Sequence, residues 1–428
     1  MSMTVENENL SGPMNPTPEL PPDSSRPWLN RNVAGMGLTS LLSDISHEMA
    51  TTLLPGFLAV LGVSAAALGA IEGVADAVTS FTKLWAGWFS DRLERRKPLV
   101  VSGYGLTAGA TGLLALASGW PLVLFARAAA WFGRGVRGPA RNAILASSVP
   151  AEARGRAFGF ERAGDTIGAV IGPLIGVALL AALHGEAQAS EAPFRMIFAL
   201  TLIPGFAAAL SFALLVRDSA HRPSAARPLR AALGQLPRPF RRLLWGVGIF
   251  GMGDFAHTLM ILAATQLLAP REGLARAAEI AGLLYVAHNV FYAAAAYPFG
   301  ALSDRIGRRG LLAFGYGAGA ATAAGFAAAF AWNTRSIELL LALFALGGIY
   351  VAGEEALESA LVADLAQSGA HGTAYGALGA VNGVGDFVAS ALVGVLWTFV
   401  SPVVAFAYAA VLMAAGAVFI GSVRMKQS

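Results

Sequence analysis

The sequence predicts an all-α membrane protein with twelve transmembrane helices arranged in two pseudo-symmetric six-helix bundles. Three observations support this prediction. The chain of 428 residues is 56% hydrophobic and only 13% charged, about half of the charge that a soluble chain carries. Apolar runs of about 18 residues or more, each long enough to cross a bilayer as a helix, follow one another along the chain. A charged segment also recurs between apolar runs about half a chain apart, which indicates two homologous halves.

The spans and their connections follow from the apolar runs. We place the spans at 32–61, 66–89, 98–117, 120–146, 157–183, 194–216, 243–269, 276–300, 309–332, 337–363, 372–399 and 402–423. They divide the chain into a tail 1–31, an N-terminal bundle 32–216, a linker 217–242, a C-terminal bundle 243–423 and a tail 424–428. Basic residues concentrate in alternate connections, which predicts an inner (plasma) membrane protein with both termini in the cytoplasm.

The two tails and the linker are the polar parts of the chain. The N-terminal tail is polar and Pro-rich and lacks the apolar core of a signal peptide, so we expect it to be disordered. The linker is rich in Arg and Pro and is predicted to be helical only around 228–236. A solvated linker is favoured over a contact with anionic lipids.

Composition excludes several functions. The sequence pI of about 9.6 is explained by the basic loops, so no nucleic-acid partner is expected. The absence of cysteine excludes disulfides and thiol chemistry, and no phosphate-binding loop for ATP is present. No enzyme signature and no cofactor are predicted. His47, His257 and His288 could compose a transition-metal site with nearby carboxylates, but without cysteine we predict none.

The recurring charged segment carries a family resemblance. The copies read Gly87-Trp-Phe-Ser-Asp91-Arg92-Leu-Glu94-Arg95-Arg96 and Gly300-Ala-Leu-Ser-Asp304-Arg305-Ile-Gly307-Arg308-Arg309. Such clusters must lie at a membrane face or in a protein pocket. Both resemble the loop 2–3 signature of the major facilitator superfamily, with Glu94 in place of a turn glycine in the first copy. The resemblance implies that each Asp pairs with neighbouring helices and holds one conformation closed. The alternative is that the basic residues only set topology.

Ionisable residues within the apolar runs are the candidate binding groups, because they should face a cavity, a partner or the bundle interior. In span 1, Asp44, His47 and Glu48 share one helical face, and Asp254 and His257 hold the matching places in span 7. Histidines and desolvated carboxylates can exchange protons. The resemblance implies that helices 1 and 7 line a central cavity, so these groups are expected to meet near the pseudo-axis. The alternative is a set of structural hydrogen bonds.

Further candidates lie on other spans. The remaining substrate or proton groups are Asp76, Arg127, Arg134, His288, Glu354 and Asp386, and the gating groups are Asp91, Arg92, Arg141, Asp165, Asp304 and Arg305. A buried arginine needs an anion, and the candidates are Asp44, Asp76, Asp91, Asp165 or the substrate. Alternatively, Arg137 and Arg141 join the inner gate to Asp91 and Asp165. Glu72 is expected near the outer end of its span, in contact with water.

Small residues in span 5 add a second resemblance. Gly168, Gly172 and Gly176 recur every four residues around Pro173, which predicts a smooth groove and a bend. The stretch 168–176 resembles the span 5 motif of drug:proton antiporters, with Val177 in place of its last glycine. This favours antiport, and close helix packing is a compatible alternative.

Together these features predict a secondary active transporter that moves a small solute by alternating access. The resemblance implies a monomer that works by proton-coupled efflux, with the proton gradient as its energy source. Four alternatives stay open: proton-coupled import of an organic anion, import of a metal chelate, a lipid flippase, and a sensor that does not transport.

Overall fold

The computed structural model describes residues 28–90, 93–150, 154–183, 190–218, 236–365 and 371–422. Within these ranges the regular structure is helical and contains no β-strand, so the predicted all-α class is confirmed. The α-helices are α1 Arg31–Val60, α2 Ala65–Ser90, α3 Lys97–Leu113, α4 Trp120–Ser147, α5 Arg154–Leu183, α6 Glu191–Leu200, α7 Leu202–Leu215, α8 Arg238–Gly251, α9 His257–Glu272, α10 Leu274–Ile306, α11 Arg308–Ala331, α12 Ile337–Leu365, α13 His371–Phe399 and α14 Pro402–Ser422.

Several helices are long and apolar enough to cross a bilayer. Within the described residues seven segments meet this criterion: Lys97–Leu116, Ala157–Leu183, Glu191–Leu215, Arg308–Ala331, Ile337–Val362, Ala374–Phe399 and Pro402–Ser422. α4 is as long as these helices, but it carries four arginines and is therefore less apolar. The protein is thus a multi-pass membrane protein whose more polar helices need protein or water as neighbours.

The helices pack as two halves that meet along several helix pairs. In the N-terminal half, α1 packs against α5 and α7, and α4 packs against α2 and α3. In the C-terminal half, α12 packs against α10 and α11, and α14 packs against α8, α11 and α13. The halves meet mainly along the α2–α13 pair and the α5–α10 pair, and α9 also contacts α1 and α2 while α10 contacts α1. A site between the halves is therefore bordered by α1, α2 and α5 on one side.

Glycines allow the backbones of α2 and α13 to come close. A Cβ atom at Gly69 would lie 2.1 Å from the Ser390 carbonyl oxygen, and one at Gly394 would lie 2.5 Å from the Ala65 carbonyl oxygen. Real Cβ atoms do not come this close to oxygen, so only glycine fits at either position without a shift of the helices. Small residues thus fix the contact between the halves.

The two ends of the molecule differ in how the halves meet. We call the end with the turn between α1 and α2 the distal end, and the end with residues 28 and 422 the proximal end. At the distal end, a Cβ atom at Gly56 would lie 2.9 Å from Ala278 Cβ, and one at Gly282 would lie 2.5 Å from Val177. The large hydrophobic core contains residues of both halves, whereas a second core, around Tyr104, belongs to the N-terminal half alone.

The seventh predicted span is not one helix. The span predicted at 243–269 is divided into α8 and α9, with Met252–Ala256 between them. Gly253 lies so close to α14 that a Cβ atom there would be 2.6 Å from the Ala409 carbonyl oxygen. The Ala256 N–H, freed from helical bonding, donates to Ser390 Oγ (3.0 Å). The prediction of a continuous helix was therefore wrong, and Asp254 lies in the interruption.

The sixth predicted span is also divided, but more weakly. The region predicted at 194–216 forms α6 and α7, which Thr201 separates. Thr201 keeps helical dihedral angles, and its carbonyl oxygen accepts a hydrogen bond from Ser46 Oγ (2.8 Å). The two pieces therefore continue in nearly one direction. The predicted N-terminal tail and the helix predicted around 228–236 lie largely outside the described residues.

Candidate functional site

A buried ion pair joins α4 to α2. Arg127 Nη2 donates to both carboxylate oxygens of Glu72, at 2.9 and 2.7 Å, and both side chains are at most 4% exposed. The expected partners of Arg127 did not include Glu72, which was expected to be in contact with water. That expectation was wrong, because Glu72 lies seven residues into α2 and so about 10 Å along the helix axis from its first residue. At that depth a carboxylate needs a cation.

A second ion pair joins α4 to α1. Arg134 Nη2 contacts Asp44 Oδ1 at 3.1 Å, and the Arg134 side chain is 20% exposed. The Arg134 guanidinium also lies over the ring of Trp131, 4.9 Å from its centroid, within the range of a cation–π interaction. Arg134 and Asp44 were both predicted, and the structure brings them together.

The other two arginines of α4 have different partners from those expected. Arg137 Nη2 donates to Ser43 Oγ (2.9 Å), and its guanidinium lies 3.9 Å from the ring centroid of Tyr104. Arg141 pairs with Glu161 at 2.7 Å. The expected contacts of Arg137 and Arg141 with Asp165 are therefore absent as ion pairs among the described residues. Glu161 sits one helical turn before Asp165 and takes its place.

The glycines of α5 place α1 close to α5. A Cβ atom at Gly168 would lie 2.6 Å from the Leu41 carbonyl oxygen and 2.9 Å from Asp44 Cβ. The Gly172 position lies similarly against Ile45 and Glu48, and Gly176 lies against Met49. Pro173 lies within α5 between these last two glycines. The glycine row thus fixes the position along α1 from which Asp44 and Glu48 project.

The histidines of the two halves do not meet. The His47 ring lies 5.0 Å from the Trp131 ring, whereas the His257 ring lies 4.8 Å from the His288 ring. His288 Nδ1 is 3.2 Å from the Phe344 carbonyl oxygen. The predicted meeting of His47 with His257 was therefore wrong, because His257 begins α9 after the interruption and faces α10.

One hydrogen bond from the predicted face of α1 does reach the other half. The Tyr285 hydroxyl of α10 donates to Glu48 Oε2 at 3.1 Å. The Tyr285 ring in turn stacks on the His288 ring, with centroids 5.5 Å apart. Glu48 is therefore linked to the histidine pair of the C-terminal half through one tyrosine.

Two buried carboxylates of the C-terminal half, Asp254 and Glu358, have neutral hydrogen-bond partners. The Tyr350 hydroxyl donates to Asp254 Oδ1 (3.0 Å). Glu358 accepts from the Tyr316 hydroxyl and from Asn382 Nδ2 (2.8 Å). The sequence contains no Lys or Arg from residue 336 to residue 423, so α13 and α14 supply no cation to these acids.

The halves also face each other through charges that are not in direct contact. Asp76 of α2 lies within electrostatic range of Asp254. Asp386 of α13 lies within electrostatic range of Asp76, Lys83 and Glu358, and Glu354 lies near Asp254 and Asp386. The predicted acids Asp76, Asp254, Glu354 and Asp386 are thus grouped around the contact between the halves.

An exposed polar bridge crosses between the halves. Arg162 of α5 donates to Glu355 Oε2 and to the Tyr292 hydroxyl, both at 2.6 Å, and it also contacts Asp165 at 3.4 Å. Both ends of the Arg162–Glu355 pair are more than half exposed. Asp165 was predicted as a gating residue. It contacts Arg162 of this bridge and lies within electrostatic range of Arg141, without forming an ion pair with it.

Several predicted gating residues cannot be placed, and several contact residues were missed. Asp91 and Arg92 lie outside the described residues. Asp304 and Arg305 lie on α10, but their side chains are outside the described part.

The missed residues are Glu161, Arg162, Tyr285, Tyr292, Tyr316, Tyr350 and Asn382. For the four tyrosines, the available sequence signal was a tyrosine in an apolar span at the same depth as a carboxylate. Among the described residues, no group of three or more His, Asp or Glu is arranged to hold a metal ion.

Comparisons with known proteins decide the family. The model of the Major Facilitator Superfamily matches residues 36–278 and 260–426. The chain belongs to the Major Facilitator Superfamily. An uncharacterized MFS-type transporter of Methanocaldococcus jannaschii is 30% identical over 385 residues, which cover 90% of this chain and 92% of that protein. The resemblance found in the two charged loops is confirmed.

Two further superfamily relatives have more specific names. A multidrug resistance protein MdtG of Citrobacter koseri is 29% identical over 310 residues, 68% of this chain and 71% of that protein. A probable 4-methylmuconolactone transporter of Cupriavidus pinatubonensis is 29% identical over 272 residues, 63% of this chain and 61% of that protein. The protein described here is therefore a superfamily transporter, and transporters of this superfamily bind small-molecule substrates.

Proposed function

We propose that this protein is a proton-coupled secondary transporter that exports a small solute in exchange for protons. The observation that carries this proposal is the set of ionisable side chains held between two helical halves. Asp44, Arg134 and Glu48 lie on one side, and Asp254 and Glu358 lie on the other. Charged groups at this depth are costly unless they face partners or a water-filled passage. A passage that opens to each membrane face in turn would give these groups access to both sides.

Coupling follows from the different partners of the carboxyl groups. Asp44 is paired with a cation, whereas Asp254 is held by the Tyr350 hydroxyl. Protonation of Asp44 would weaken its attraction to Arg134, and this would change the relative stability of two conformations. Asp254 can gain or lose a proton without breaking an ion pair. The two acids therefore have separate roles, one in linking protonation to conformation and one in carrying the proton.

The orientation belongs to the same proposal. The concentration of basic residues in the loops of the proximal end supports a cytoplasmic location for that end, and an inner (plasma) membrane would supply the proton gradient. The chain would then work as a monomer with both termini in the cytoplasm. The name of the multidrug resistance relative and the glycine motif of α5 support export as the direction.

The test has two stages. A thermal-shift screen of the purified protein at pH 6 and pH 8, conditions on either side of the titration range of histidine, would identify a ligand and show its linkage to protons. Proteoliposomes loaded with a pH-sensitive dye would then report proton movement when that ligand is added. Export by antiport predicts that protons move against the direction of the ligand.

Matched variants test the roles of the two acids. Asp44→Asn and Asp254→Asn are expected to abolish ligand-driven proton movement. Glu191→Gln, which alters a partly exposed ion pair within α6, should leave it unchanged. If both asparagine variants retain full proton movement, the roles assigned to Asp44 and Asp254 are wrong.

Proton-coupled import of an organic anion is the second candidate. The contact of Arg134 with Asp44 favours it, because an anion that displaces Asp44 from Arg134 would leave that carboxylate free to take up a proton. The name of the 4-methylmuconolactone transporter is consistent with such a substrate. The same proteoliposome assay separates the two functions, since import predicts that the ligand and protons move in one direction.

A further inference from the structure

Trp131 is surrounded by cationic and polar side chains of α1 and α4. The guanidinium carbons of Arg127 and Arg134 lie 5.6 and 4.9 Å from the centroid of its ring. These residues stand four positions before and three positions after Trp131, so all three share one face of α4. The edge of the His47 ring meets the same indole at 5.0 Å. Four side chains able to donate hydrogen bonds therefore adjoin one another.

Three buried nitrogens in this group have no hydrogen-bond partner among the described residues. They are His47 Nδ1, Arg127 Nε and Trp131 Nε1. His47 and Arg127 are each only 3% exposed. A buried N–H group without an acceptor is costly, so these unpaired nitrogens in one place call for an acceptor.

Two of the three nitrogens are fixed donors, since the indole and guanidinium nitrogens can only donate. Thr51 Oγ1 accepts a hydrogen bond from Arg127 Nη1 at 3.2 Å and lies 3.3 Å from His47 Nε2. When the Thr51 hydroxyl donates to Nε2, the imidazole proton lies on His47 Nδ1, which is then a third donor. The group therefore needs an acceptor, and a carboxylate offers about four acceptor positions where one water molecule offers about two.

Arg134 supplies the positive charge that would attract an anionic acceptor. Arg127 is already neutralised by both oxygens of Glu72. Arg134 makes one 3.1 Å contact with Asp44 and is 20% exposed, so most of its five N–H donors stay available. Two further carboxylates lie nearby. Glu48 is held by the Tyr285 hydroxyl, and Asp165 lies beside Asp44 and within electrostatic range of Arg134.

We propose that Arg134, Trp131 and His47 form an anion subsite that binds a carboxylate group of the transported solute. Trp131 determines specificity by donating its indole N–H to the anion. Asp44 stays paired with Arg134 until the anion displaces the Asp44 carboxylate. This assignment rests on the proposed transport function, but it concerns binding and can be tested without a gradient.

The test uses matched pairs of small acids and their primary amides. Benzoate, phenylacetate and hexanoate are compared with benzamide, phenylacetamide and hexanamide by thermal shift and calorimetric titration of the detergent-solubilised full chain. At least one acid is expected to bind the wild-type chain at least tenfold more tightly than its amide, because a charged acceptor is required.

Two variants then assign the donors. Trp131→Phe keeps an aromatic ring but loses the N–H, and it is expected to weaken binding of that acid about tenfold or more. Arg134→Lys keeps the charge but loses the planar donor array, and a loss of similar size is expected. The control Arg195→Gln, at a partly exposed pair of α6, should bind as the wild-type chain does.

Three results would overturn the subsite. They are equal binding of acids and amides, absence of acid binding up to about 10 mM, and unchanged binding in a Trp131→Phe chain that melts at the wild-type temperature. If the Phe variant fails to fold, Arg134→Lys decides the question alone. Failure of the subsite would leave proton-coupled transport intact, since proteoliposome flux measures that independently.

Discussion

The two halves of this transporter hold the buried carboxylates near the contact between the halves in different ways. In the N-terminal half, α4 carries four arginines, and three of them form ion pairs with Glu72, Asp44 and Glu161. In the C-terminal half, Asp254 and Glu358 are held by tyrosine hydroxyls and an asparagine amide. Buried carboxylates need partners in both bundles. In the N-terminal bundle the partners are arginines, and for Asp254 and Glu358 they are hydroxyl and amide groups.

This difference means that the carboxylates of the two halves respond differently to a change of charge. A buried ion pair is strongly destabilised when one partner is lost or neutralised, because the other charge stays buried. A carboxyl group held by hydroxyl and amide groups can change its charge with a smaller loss of stability. Under the function proposed above, the ion pairs of the N-terminal half would link protonation of Asp44 to conformation, and the carboxyl groups of the C-terminal half would exchange protons.

The largest expected effect comes from breaking the Arg127–Glu72 pair. Glu72→Gln removes the charge and leaves the Arg127 guanidinium buried without an anion. We expect a loss of about 3–5 kcal/mol in the free energy of unfolding, measured by equilibrium unfolding in mixed detergent micelles. The double variant Arg127→Met with Glu72→Met should recover much of that loss, since an apolar pair of similar volume needs no counter-charge.

A partly exposed pair provides the control. Glu191 and Arg195 lie 2.8 Å apart and their side chains are 42% and 30% exposed, so Glu191→Gln should cost about 0.2–1 kcal/mol. If Glu72→Gln costs no more than this control, the N-terminal half does not depend on its ion pairs, and the contrast with the C-terminal half fails.

The next effect concerns the contact between the halves. Gly69→Ala places a Cβ atom 2.1 Å from the Ser390 carbonyl oxygen, so α2 must move away from α13. We expect a loss of about 1–3 kcal/mol in stability, together with slower ligand exchange in proteoliposomes. The control is Gly109→Ala on α3, where no atom lies within 4 Å of the new Cβ. That change should stabilise the chain by about 0.5–1 kcal/mol through helix propensity, and an equal loss in both variants would contradict this account.

The fold could be predicted from the sequence because apolar runs and charged loops report directly on the membrane. The interruption between α8 and α9 could not, because it depends on the close approach of α14 to Gly253, a tertiary contact. Gly251 and Gly253 on either side of Met252 were the local signal. The error mattered for the site, since the shared helical face assumed for Asp254 and His257 does not exist.

Several residues of the site could be predicted from the sequence, but which of them contact each other could not. Arg134 and Asp44 were named because ionisable groups in apolar runs are rare. The partner of Arg127 was missed because helix rotation and tilt, which sequence periodicity does not give, decide which acid faces it. The tyrosines that hold the C-terminal carboxylates were missed because a tyrosine in an apolar span is as often a packing residue.

A smaller effect is expected at a tyrosine of the C-terminal half. Tyr350→Phe removes the hydroxyl that donates to Asp254 and should lower the free energy of unfolding by about 1 kcal/mol. The same micelle unfolding assay measures it, with Tyr408→Phe as the control because its hydroxyl bonds an exposed carbonyl oxygen of Met252. A loss of about 3 kcal/mol or more would mean that Asp254 depends on its partner as strongly as Arg127 does, and the two halves would then not differ.

The smallest effect on stability is expected at the exposed bridge between the halves. Arg162→Gln removes a pair whose side chains are 55% and 52% exposed, and such pairs contribute about 0.2–1 kcal/mol. Since the pair joins the two halves, its loss should shift the balance between conformations by at most about fivefold.

The natural absence of cysteine makes this shift measurable. Leu84→Cys with Gly376→Cys places a reporter pair across α2 and α13, where a Cβ atom at Gly376 would lie 2.6 Å from Leu84. The rate of disulfide formation should change when Arg162→Gln is added. Arg276→Gln, which alters a pair within α10 alone, should leave the rate unchanged. Equal rates in both variants would mean that the Arg162–Glu355 contact does not bias the conformation, because a contact equally strong in every state shifts no equilibrium.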